Sequence, residues 1–248
     1  MKIKSILVSQ PEPENGKSPY YELAEKNGLK IDFRPFIQVE GVSAKEFRQT
    51  RIHILDHTGV IFTSRTAADH FFRISQELRL TVPDSMKYFC ISEATAFYLQ
   101  KYIVYRKRKI FYADGRFSDL ISVMKKHKDE KFLVPLSDIH KQEIPDLLEQ
   151  EGYNYTKAVL YRTVSADLSD LSDIKYDILV FFSPSGIKSL FQNFPDFQQN
   201  NTKIACFGPS TAKAVLDAGL RLDIEAPTSQ APSMTMALEQ YIKKNNKV

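Results

Sequence analysis

Val60-Ile61-Phe62-Thr63-Ser64 and Val180-Phe181-Phe182-Ser183 are two versions of one pattern, an apolar strand-like run that ends in hydroxyl residues. A helix-like segment follows each run, and Cys90 and Cys206 then lie in two further apolar runs that also precede helices. The serines that end the first pair of runs are 119 positions apart, and the two cysteines are 116 apart. This offset predicts two similar halves built from alternating strands and helices, which is the α/β class with parallel sheets.

Hydroxyl residues at these strand ends also begin the next helix. Such a turn directs backbone N–H groups and the positive end of the helix toward an anion. Ordinary N-capping is the simpler role, and both roles are compatible, because a side chain caps the helix while neighbouring N–H groups bind the ligand. A cleft between two such halves would suit a ligand with many carboxylates.

The two halves are unequal in their number of strands. The C-terminal half, from about residue 164, supplies only about three strands, too few for a covered parallel sheet, whereas the middle is nearly complete. The N-terminal strand and helix complete the C-terminal half in the organisation we predict. This organisation has a discontinuous domain at residues 1–38 and 164–248, and an inserted domain at residues 39–160. Two linkers join them, at about residues 31–39 and 158–164. Because the linkers run in opposite directions, we expect an antiparallel two-stranded ladder that acts as a hinge.

Composition restricts the class of protein. The chain has 248 residues, 43% of them hydrophobic, and no run approaches the roughly 20 apolar residues of a membrane span. We therefore predict a soluble, cytoplasmic protein without a membrane partner. The net charge of +4 is modest for a nucleic-acid binder, and Arg106-Lys107-Arg108-Lys109 is typical of a solvated loop. Cys90 and Cys206 are expected to be buried rather than to form a disulfide.

Signatures of metal and cofactor chemistry are weak in this chain. His53 and His57 have a spacing that could bind a metal on a helix, but Thr58-Gly59 follows and no third ligand is near in sequence. His70, His127 and His140 each stand alone in the sequence. There is no G-x-S-x-G turn, Walker A loop or G-x-G-x-x-G fingerprint, and glycines number nine. We therefore predict no metal and no cofactor.

Several motifs, in a fixed order along nearly the whole chain, together resemble the uroporphyrinogen-III synthase family. Each motif alone is weak, because a Ser- or Gly-Pro turn before a helix is common. The motifs are Ile61-Phe62-Thr63-Ser64, Val159-Leu160-Tyr161-Arg162-Thr163, Phe181-Phe182-Ser183-Pro184-Ser185-Gly186, Gly208-Pro209-Ser210-Thr211-Ala212 and Ala226-Pro227-Thr228.

The resemblance implies two flavodoxin-like domains joined by a two-stranded β-ladder, and a cofactor-free lyase of porphyrin and haem biosynthesis. The implied reaction closes the linear tetrapyrrole hydroxymethylbilane to uroporphyrinogen III, with ring D inverted through a spiro intermediate. A monomer without a nucleic-acid partner is expected. The resemblance makes Tyr161 the candidate that assists departure of the ring A hydroxyl, with aromatic packing at the hinge as the alternative. The candidate substrate-binding residues are Thr63, Ser64, Arg65, Thr95, Ser183, Ser185, Gly186, Gly208, Pro209, Ser210, Thr211 and Thr228.

Two positions depart from the family pattern. Ser9-Gln10-Pro11 stands where many bacterial relatives have Thr-Arg-Pro, and Ser92-Glu93 replaces a Gly-Pro turn. Glu93 would repel a carboxylate if it faced the ligand, and Arg65 is the cation that could offset it. Two other functions remain as alternatives: a non-catalytic binding or sensor module of the same fold, and a nucleotide-dependent transferase that would lack its glycine fingerprint.

Overall fold

The computed structural model describes residues 2–13, 16–171 and 175–246, in which strands alternate with helices along most of the chain. Its strands are β1 (Ser5–Val8), β2 (Lys30–Phe33), β3 (Ile37–Gly41), β4 (Gly59–Phe62), β5 (Lys87–Cys90), β6 (Ile110–Tyr112), β7 (Phe132–Ser137), β8 (Tyr155–Ser165), β9 (Ile178–Phe181), β10 (Lys203–Phe207) and β11 (Ile224–Ala226). Its α-helices are α1 (Pro19–Asn27), α2 (Ala44–Gln49), α3 (Arg65–Glu77), α4 (Glu93–Tyr98), α5 (Phe117–Met124), α6 (Glu143–Gln150), α7 (Pro184–Asn193), α8 (Pro209–Asp217) and α9 (Met234–Asn246). The predicted α/β class is confirmed.

The chain divides into two compact units. The first contains Met1–Gln38 and Val164–Val248, and the second contains Val39–Thr163. The first unit is built on a sheet of five parallel strands in the order β11-β10-β9-β1-β2. Numbered along the chain within this unit, the order is 2-1-3-4-5, the flavodoxin-like arrangement. The N-terminal segment thus supplies two strands of a sheet whose other strands lie far away in sequence.

The second unit contains a sheet in the order β3-β8-β7-β4-β5-β6, in which β8 to β6 are all parallel. The strands that the sequence repeat relates occupy equivalent places in the two sheets: β4 with β9, and β5 with β10. The next strands, β6 and β11, are also equivalent, each at the edge of its sheet. The equivalents of β1 and β2 are β7 and β8, which follow the repeat in this unit instead of preceding it. The two units therefore share one spatial order of strands with permuted chain connections.

The connecting segments differ in detail from the predicted linkers. Residues 31–39 do not form one extended linker, because β2 pairs with β1 as the edge strand of the first unit's parallel sheet and only β3 lies beside β8. Pro35 separates the two strands, as expected for a residue without a backbone N–H to donate to a ladder. The other predicted linker, residues 158–164, is likewise part of β8, a long strand that also pairs with β7.

The pairing of β3 with β8 can be followed at each end of the connection. In the first unit, the Ala166 N–H donates to the Phe36 carbonyl at 2.9 Å, and the buried Ser189 hydroxyl donates to the same oxygen. In the second unit, the Val42 N–H donates to the Leu160 carbonyl at 2.9 Å. Between these two contacts the residue number rises from 36 to 42 along β3 and falls from 166 to 160 along β8, so the two strands run antiparallel.

Local signals set both ends of the first helix, and the sequence predicts its C-terminal end at Gly28, which directly follows the helix-like residues 20–27. Ser18 caps α1 by accepting from the Tyr20 N–H at 3.3 Å, and Pro19 occupies the first helical position. Gly28 ends the helix with φ at 62°, a left-handed conformation that glycine adopts without steric cost. This confirms the predicted end of the first helix.

Candidate functional site

The carboxyl ends of β1 and β9 lie side by side in the first sheet. The connections from these two strands lead in opposite directions along the sheet, and such a reversal is where open α/β sheets bind ligands. Ser9 follows β1 and donates its N–H to the Val180 carbonyl at 3.0 Å, and Ser183 follows β9 after one further residue. Hydroxyl groups therefore border the reversal, as the sequence repeat predicts.

Ser183 begins α7 and caps it. Its hydroxyl oxygen accepts from the Gly186 N–H at 3.2 Å, and Ser185 is partly exposed in the first turn. Gly186 is buried, and a Cβ there would lie 3.3 Å from the Phe181 ring. Glycine thus lets the start of the helix pack closely on the strand that precedes it. The turn presents the N-terminus of a ten-residue helix at the ligand-binding edge of this sheet.

The turn before α8 is built differently. Gly208 occupies the cap position with φ at 88°, and its N–H donates to the Ala226 carbonyl at 2.6 Å. Pro209 and Ser210 are exposed, whereas Thr211 is only 2% exposed, so its hydroxyl is not available to a ligand at the surface. Thr228, on the neighbouring loop, is exposed and its Oγ1 accepts from the Ala231 N–H at 3.0 Å.

The second unit contains an equivalent edge. β4 and β7 are neighbours, and their connections also lead in opposite directions along the sheet. Thr63 and Ser64 follow β4, and Ser64 caps α3 by accepting from the Ala67 N–H at 3.0 Å. Ser137 ends β7 on the other side of the reversal. The repeat therefore places the same kind of capped helix at the same place in both sheets.

Arg65 and Glu93 do not form the pair that the sequence suggests. The Arg65 guanidinium lies over the Tyr98 ring, 5.4 Å from its centroid, and Glu93 accepts from the Tyr112 hydroxyl at 2.9 Å. Arg65 therefore does not offset the charge of Glu93 through a direct ion pair. Thr95 is 5% exposed, and its Oγ1 lies 3.1 Å from the Ser92 hydroxyl oxygen. Its hydroxyl supports the turn rather than facing solvent.

Tyr161 lies in β8 at a β-bulge. Leu136 pairs with Val159 and Ser137 pairs with Tyr161, so Leu160 is the extra residue. The bulge explains why the adjacent Leu160 and Tyr161 side chains are both buried in one core cluster, although side chains normally alternate along a strand. The Tyr161 side chain is 8% exposed, and its hydroxyl lies 3.5 Å from the Ser64 hydroxyl oxygen, at the outer limit of a hydrogen bond. The phenol therefore ends beside the cap of α3.

Sequence reasoning missed His70, which does not stand alone in the structure. Its imidazole is stacked on the Tyr161 ring with a centroid distance of 4.9 Å and an interplanar angle of 17°. Its Nδ1 accepts from the Nε–H of Arg73 at 3.1 Å. Burial lowers the pKa of His70, and the Arg73 guanidinium lowers it further against the opposing effects of Asp69 and Glu77. The spacing of His70 and Arg73 predicts their contact on one helix face, but nothing local connects either residue to Tyr161.

Asp138 holds the backbone of β8 around Tyr161. The Asp138 N–H donates to the Tyr161 carbonyl at 3.1 Å, and its Oδ1 accepts from the Thr163 N–H at 3.2 Å. Burial acts to raise the pKa of Asp138, but hydrogen bonds from Ser137, Thr163 and Ile139 outweigh it and lower the pKa. An ionised carboxylate therefore fixes the strand immediately after the tyrosine.

His57, Cys90 and Cys206, which the sequence offers for metal or thiol chemistry, are buried, whereas His53 is exposed. In residues 2–13, 16–171 and 175–246, no cluster of three or more His, Cys, Asp or Glu side chains could hold a metal ion. The His57 Nδ1 lies 2.9 Å from the His53 carbonyl oxygen, which it contacts as a donor. Burial raises the pKa of Cys90 to about 12 and that of Cys206 to about 11, so both thiols stay protonated at neutral pH.

These features define the class as a two-unit α/β protein with capped helix N-termini at the carboxyl edges of its sheets and a tyrosine in a strand that continues from one unit into the other. A family model described as uroporphyrinogen-III synthase HemD matches residues 18–236. The chain belongs to the uroporphyrinogen-III synthase family, and with it to the enzymes of tetrapyrrole and porphyrin biosynthesis.

Individual relatives agree with this assignment. A uroporphyrinogen-III synthase from Chlorobaculum parvum is 24% identical over 257 residues, covering 97% of this chain and all of the relative. One from Saccharomyces cerevisiae is 26% identical over 145 residues, 52% of each chain. The crystal structure of the Helicobacter pylori uroporphyrinogen-III synthetase covers 98% of this chain and 100% of its own, with a TM-score of 0.62 at 17% identity. This structural likeness confirms the fold. No helix in the described ranges is long and apolar enough to span a membrane.

Proposed function

We propose that the protein closes hydroxymethylbilane to uroporphyrinogen III. The carbon–oxygen bond of the ring A hydroxymethyl group breaks, the oxygen leaves as water, and an azafulvene electrophile remains on ring A. The substituted carbon of ring D attacks it to form a spiro intermediate. The bond between that spiro carbon and the bridge to ring C then breaks. The bridge carbon is attacked by the other, unsubstituted α-carbon of ring D, which inverts the ring, and loss of the proton from that carbon restores the pyrrole. Water is the only other product, so the activity is that of a cyclising lyase.

The observation that carries this proposal is the place of the Tyr161 phenol. It lies beside the cap of a 13-residue helix, and its long contact with the Ser64 hydroxyl at 3.5 Å leaves the phenol free to reorient. In the proposed step the phenol donates a hydrogen bond or its proton to the departing hydroxyl oxygen. A phenolate formed in this way is neutralised by the proton that ring D releases on closure.

The turns at the carboxyl edges are proposed to bind the carboxylates of the substrate. Ser64, Ser183 and Ser185 are at the starts of helices, whose N–H groups favour anions by about 0.3 to 1 kcal/mol each. Several such contacts are needed for useful affinity, and a substrate with many carboxylates supplies them. Pro209, Ser210 and Thr228 form the remaining exposed part of the first unit's edge, and the half-buried Gly208 adjoins them. We exclude the buried Thr95 and Thr211 hydroxyls from direct contact.

We also propose that the enzyme works without a metal or an organic cofactor, as a cytoplasmic monomer that needs no nucleic acid. The chemistry supports this, because the substrate generates its own electrophile and uncatalysed closure already gives the uninverted isomer. The work left to the protein is chiefly conformational: it holds the linear chain folded and favours the spiro route.

The test couples the purified, metal-depleted protein to an enzymatic source of hydroxymethylbilane and separates the isomers by chromatography. We expect isomer III to replace the isomer I that forms in a matched reaction without the protein. Isomer I alone, from protein shown to be folded, would refute the cyclase. Tight binding of the linear tetrapyrrole without conversion would instead support the non-catalytic binding module.

A further inference from the structure

Arg73, on α3, connects three separate parts of the second unit. Its Nη2 donates to the Val42 carbonyl at 2.8 Å and to the Leu160 carbonyl at 3.3 Å, just after β3 and at the bulge of β8. Its Nη1 forms an ion pair with Glu77 at 2.6 Å, and its Nε donates to the His70 Nδ1 at 3.1 Å. The guanidinium thus uses all three nitrogens, in directions that only a planar fork provides.

Gly41 makes room for this guanidinium. A Cβ at position 41 would lie 2.7 Å from the Arg73 carbon Cζ and 2.9 Å from its Nε. Real Cβ atoms do not approach other atoms so closely, so any side chain there would force the guanidinium to move. Glycine at this position allows Arg73 to lie flat against the backbone of the connecting strands.

Arg73 in turn fixes the protonation of His70. Arginine is a donor only, so the Nδ1 that accepts from it must carry no proton, and the neutral imidazole is the Nε2–H tautomer. The same bond fixes the plane of the ring on which Tyr161 is stacked. The bulged backbone beside Tyr161 is held by the same guanidinium, through the Leu160 carbonyl.

We propose that Arg73 and His70 are positioning residues that hold the Tyr161 phenol beside Ser64. α3 then supplies the cap that the phenol approaches, the ring on which it stacks and the cation that holds its strand. This inference rests on the proposed function of Tyr161, but the coupling of the three side chains is a separate physical claim that is measurable without substrate.

Acid should disrupt this array. The charged and titratable groups that face His70 are Asp69, Arg73 and Glu77 on its own helix and Tyr161 from β8. Protonation of Nδ1 would remove the acceptor of the Arg73 bond and place two cations together. Because the pKa of His70 is lowered from its ordinary value near 6.5, we expect the array to be intact at neutral pH and to be lost only as pH falls through this lowered pKa.

The structural test uses nuclear magnetic resonance of the full-length protein. Long-range ¹H–¹⁵N spectra of the five histidines report their tautomers, and ¹³C-labelled tyrosine reports the Tyr161 ring once Tyr161→Phe has assigned it. We expect the Nε2–H tautomer for His70, with Arg73→Lys and Gly41→Ala both shifting the His70 and Tyr161 signals. Arg48→Lys, an exposed arginine on α2, is the matched control and should shift neither. Unmoved signals in a folded Arg73→Lys protein would overturn the proposal.

The kinetic test measures isomer III formation by the same variants. Arg73→Lys and Gly41→Ala should lower kcat about 10-fold with KM within about 2-fold, because positioning of the phenol acts in the transition state. His70→Phe keeps a ring for stacking but removes the titrating nitrogen, so the ratio of wild-type to His70→Phe kcat should narrow as pH falls through the lowered pKa of His70. Equal kcat for wild type and Arg73→Lys would refute the functional role. A wild-type protein that makes only isomer I would refute the cyclase, while the spectra still decide the coupling.

Discussion

At the scale of single residues, burial decides which side chains have chemistry to offer. Tyr161 is nearly buried, and among the described residues its hydroxyl has only the long contact with Ser64, whereas the Tyr155 hydroxyl in the same strand donates to Glu149 at 2.8 Å. The Thr95 and Thr211 hydroxyls are withdrawn from the surface. Only some of the hydroxyl residues in the motifs are therefore able to form a hydrogen bond with a ligand.

Tyr161→Phe should lower kcat and kcat/KM together by about 10-fold to 100-fold, or roughly 1.4 to 2.7 kcal/mol, because the phenol acts only as the hydroxyl departs. The free energy of unfolding should change little, since the contact that is lost is long. Single-turnover measurements separate binding from closure. Tyr155→Phe, which loses an exposed hydroxyl of the same strand, is the control and should retain the wild-type rate. An unchanged closure rate in Tyr161→Phe would reduce this residue to packing.

His57 predicts a pH dependence of stability. It is 5% exposed, its Nδ1–H donates to backbone carbonyls, and its Nε2 is buried without a partner among the described residues. Burial lowers the pKa of His57, and Lys131 adds to this effect, against the two backbone hydrogen bonds. The unfolded chain therefore takes up a proton more readily than the folded one. The stability contribution of His57 is present above about pH 6.5 and is lost as pH falls through the folded pKa.

Urea unfolding of wild type and His57→Gln at pH 7, 6 and 5 measures this effect. The wild-type protein should lose more free energy of unfolding between pH 7 and 5 than the variant, which has no titrating group at this position. His53→Gln, with an exposed side chain four positions earlier, serves as the control and should keep the wild-type slope. Identical slopes for wild type and His57→Gln would show that this imidazole does not titrate differently on folding.

At the scale of elements, one motif recurs: a strand followed by a serine that caps the next helix. Ser64, Ser92 and Ser183 each cap the following helix, whereas Gly208 replaces the serine before α8. Capping satisfies helix N–H groups that would otherwise have no partner at the edge of the sheet. The same geometry leaves the positive end of each helix facing the ligand-binding edge.

Ser183→Ala and Ser185→Ala should therefore differ in effect. Ser183 is the N-cap of α7, so its replacement should cost about 1 kcal/mol of stability. Ser185 is not a cap, so its replacement should leave the free energy of unfolding within about 0.5 kcal/mol and mainly raise KM. Thermal unfolding and steady-state kinetics of the two variants distinguish these outcomes. A larger stability loss in Ser185→Ala than in Ser183→Ala would contradict the assignment of the cap.

At the scale of the whole molecule, the chain forms two units with one spatial order of strands and permuted connections. β3 and β8 both continue from one unit into the other. A domain inserted into another through two antiparallel strands is free to move as a rigid body about those strands, unless a large apolar interface opposes it.

We predict that the strands joining the two units act as a hinge. Small-angle X-ray scattering of the protein with and without a uroporphyrinogen III analogue should show different radii of gyration, because a ligand shifts the population toward the arrangement that it binds more tightly. Calorimetry on the same samples establishes that the analogue is bound. An unchanged scattering profile at saturating analogue would argue against a hinge motion.

The sequence by itself determined the features that depend on near neighbours. The α/β class, the helix end at Gly28 and the serine turns follow from alternating hydrophobicity and from caps that join residues two to four positions apart. The repeat also indicated that the N-terminal strand completes the C-terminal half.

Only the tertiary structure decided the contacts between residues far apart in the chain. It assigned β2 to the first sheet rather than to a linker, and it brought Arg73, on α3, against the Leu160 carbonyl 87 positions later. The residues next to His70 and Tyr161 in sequence give no sign that these two rings are stacked on each other. The physical reason is that strand pairing and side-chain packing depend on which distant segments meet in the folded chain, and local hydrogen-bonding and helix-capping preferences do not encode that choice.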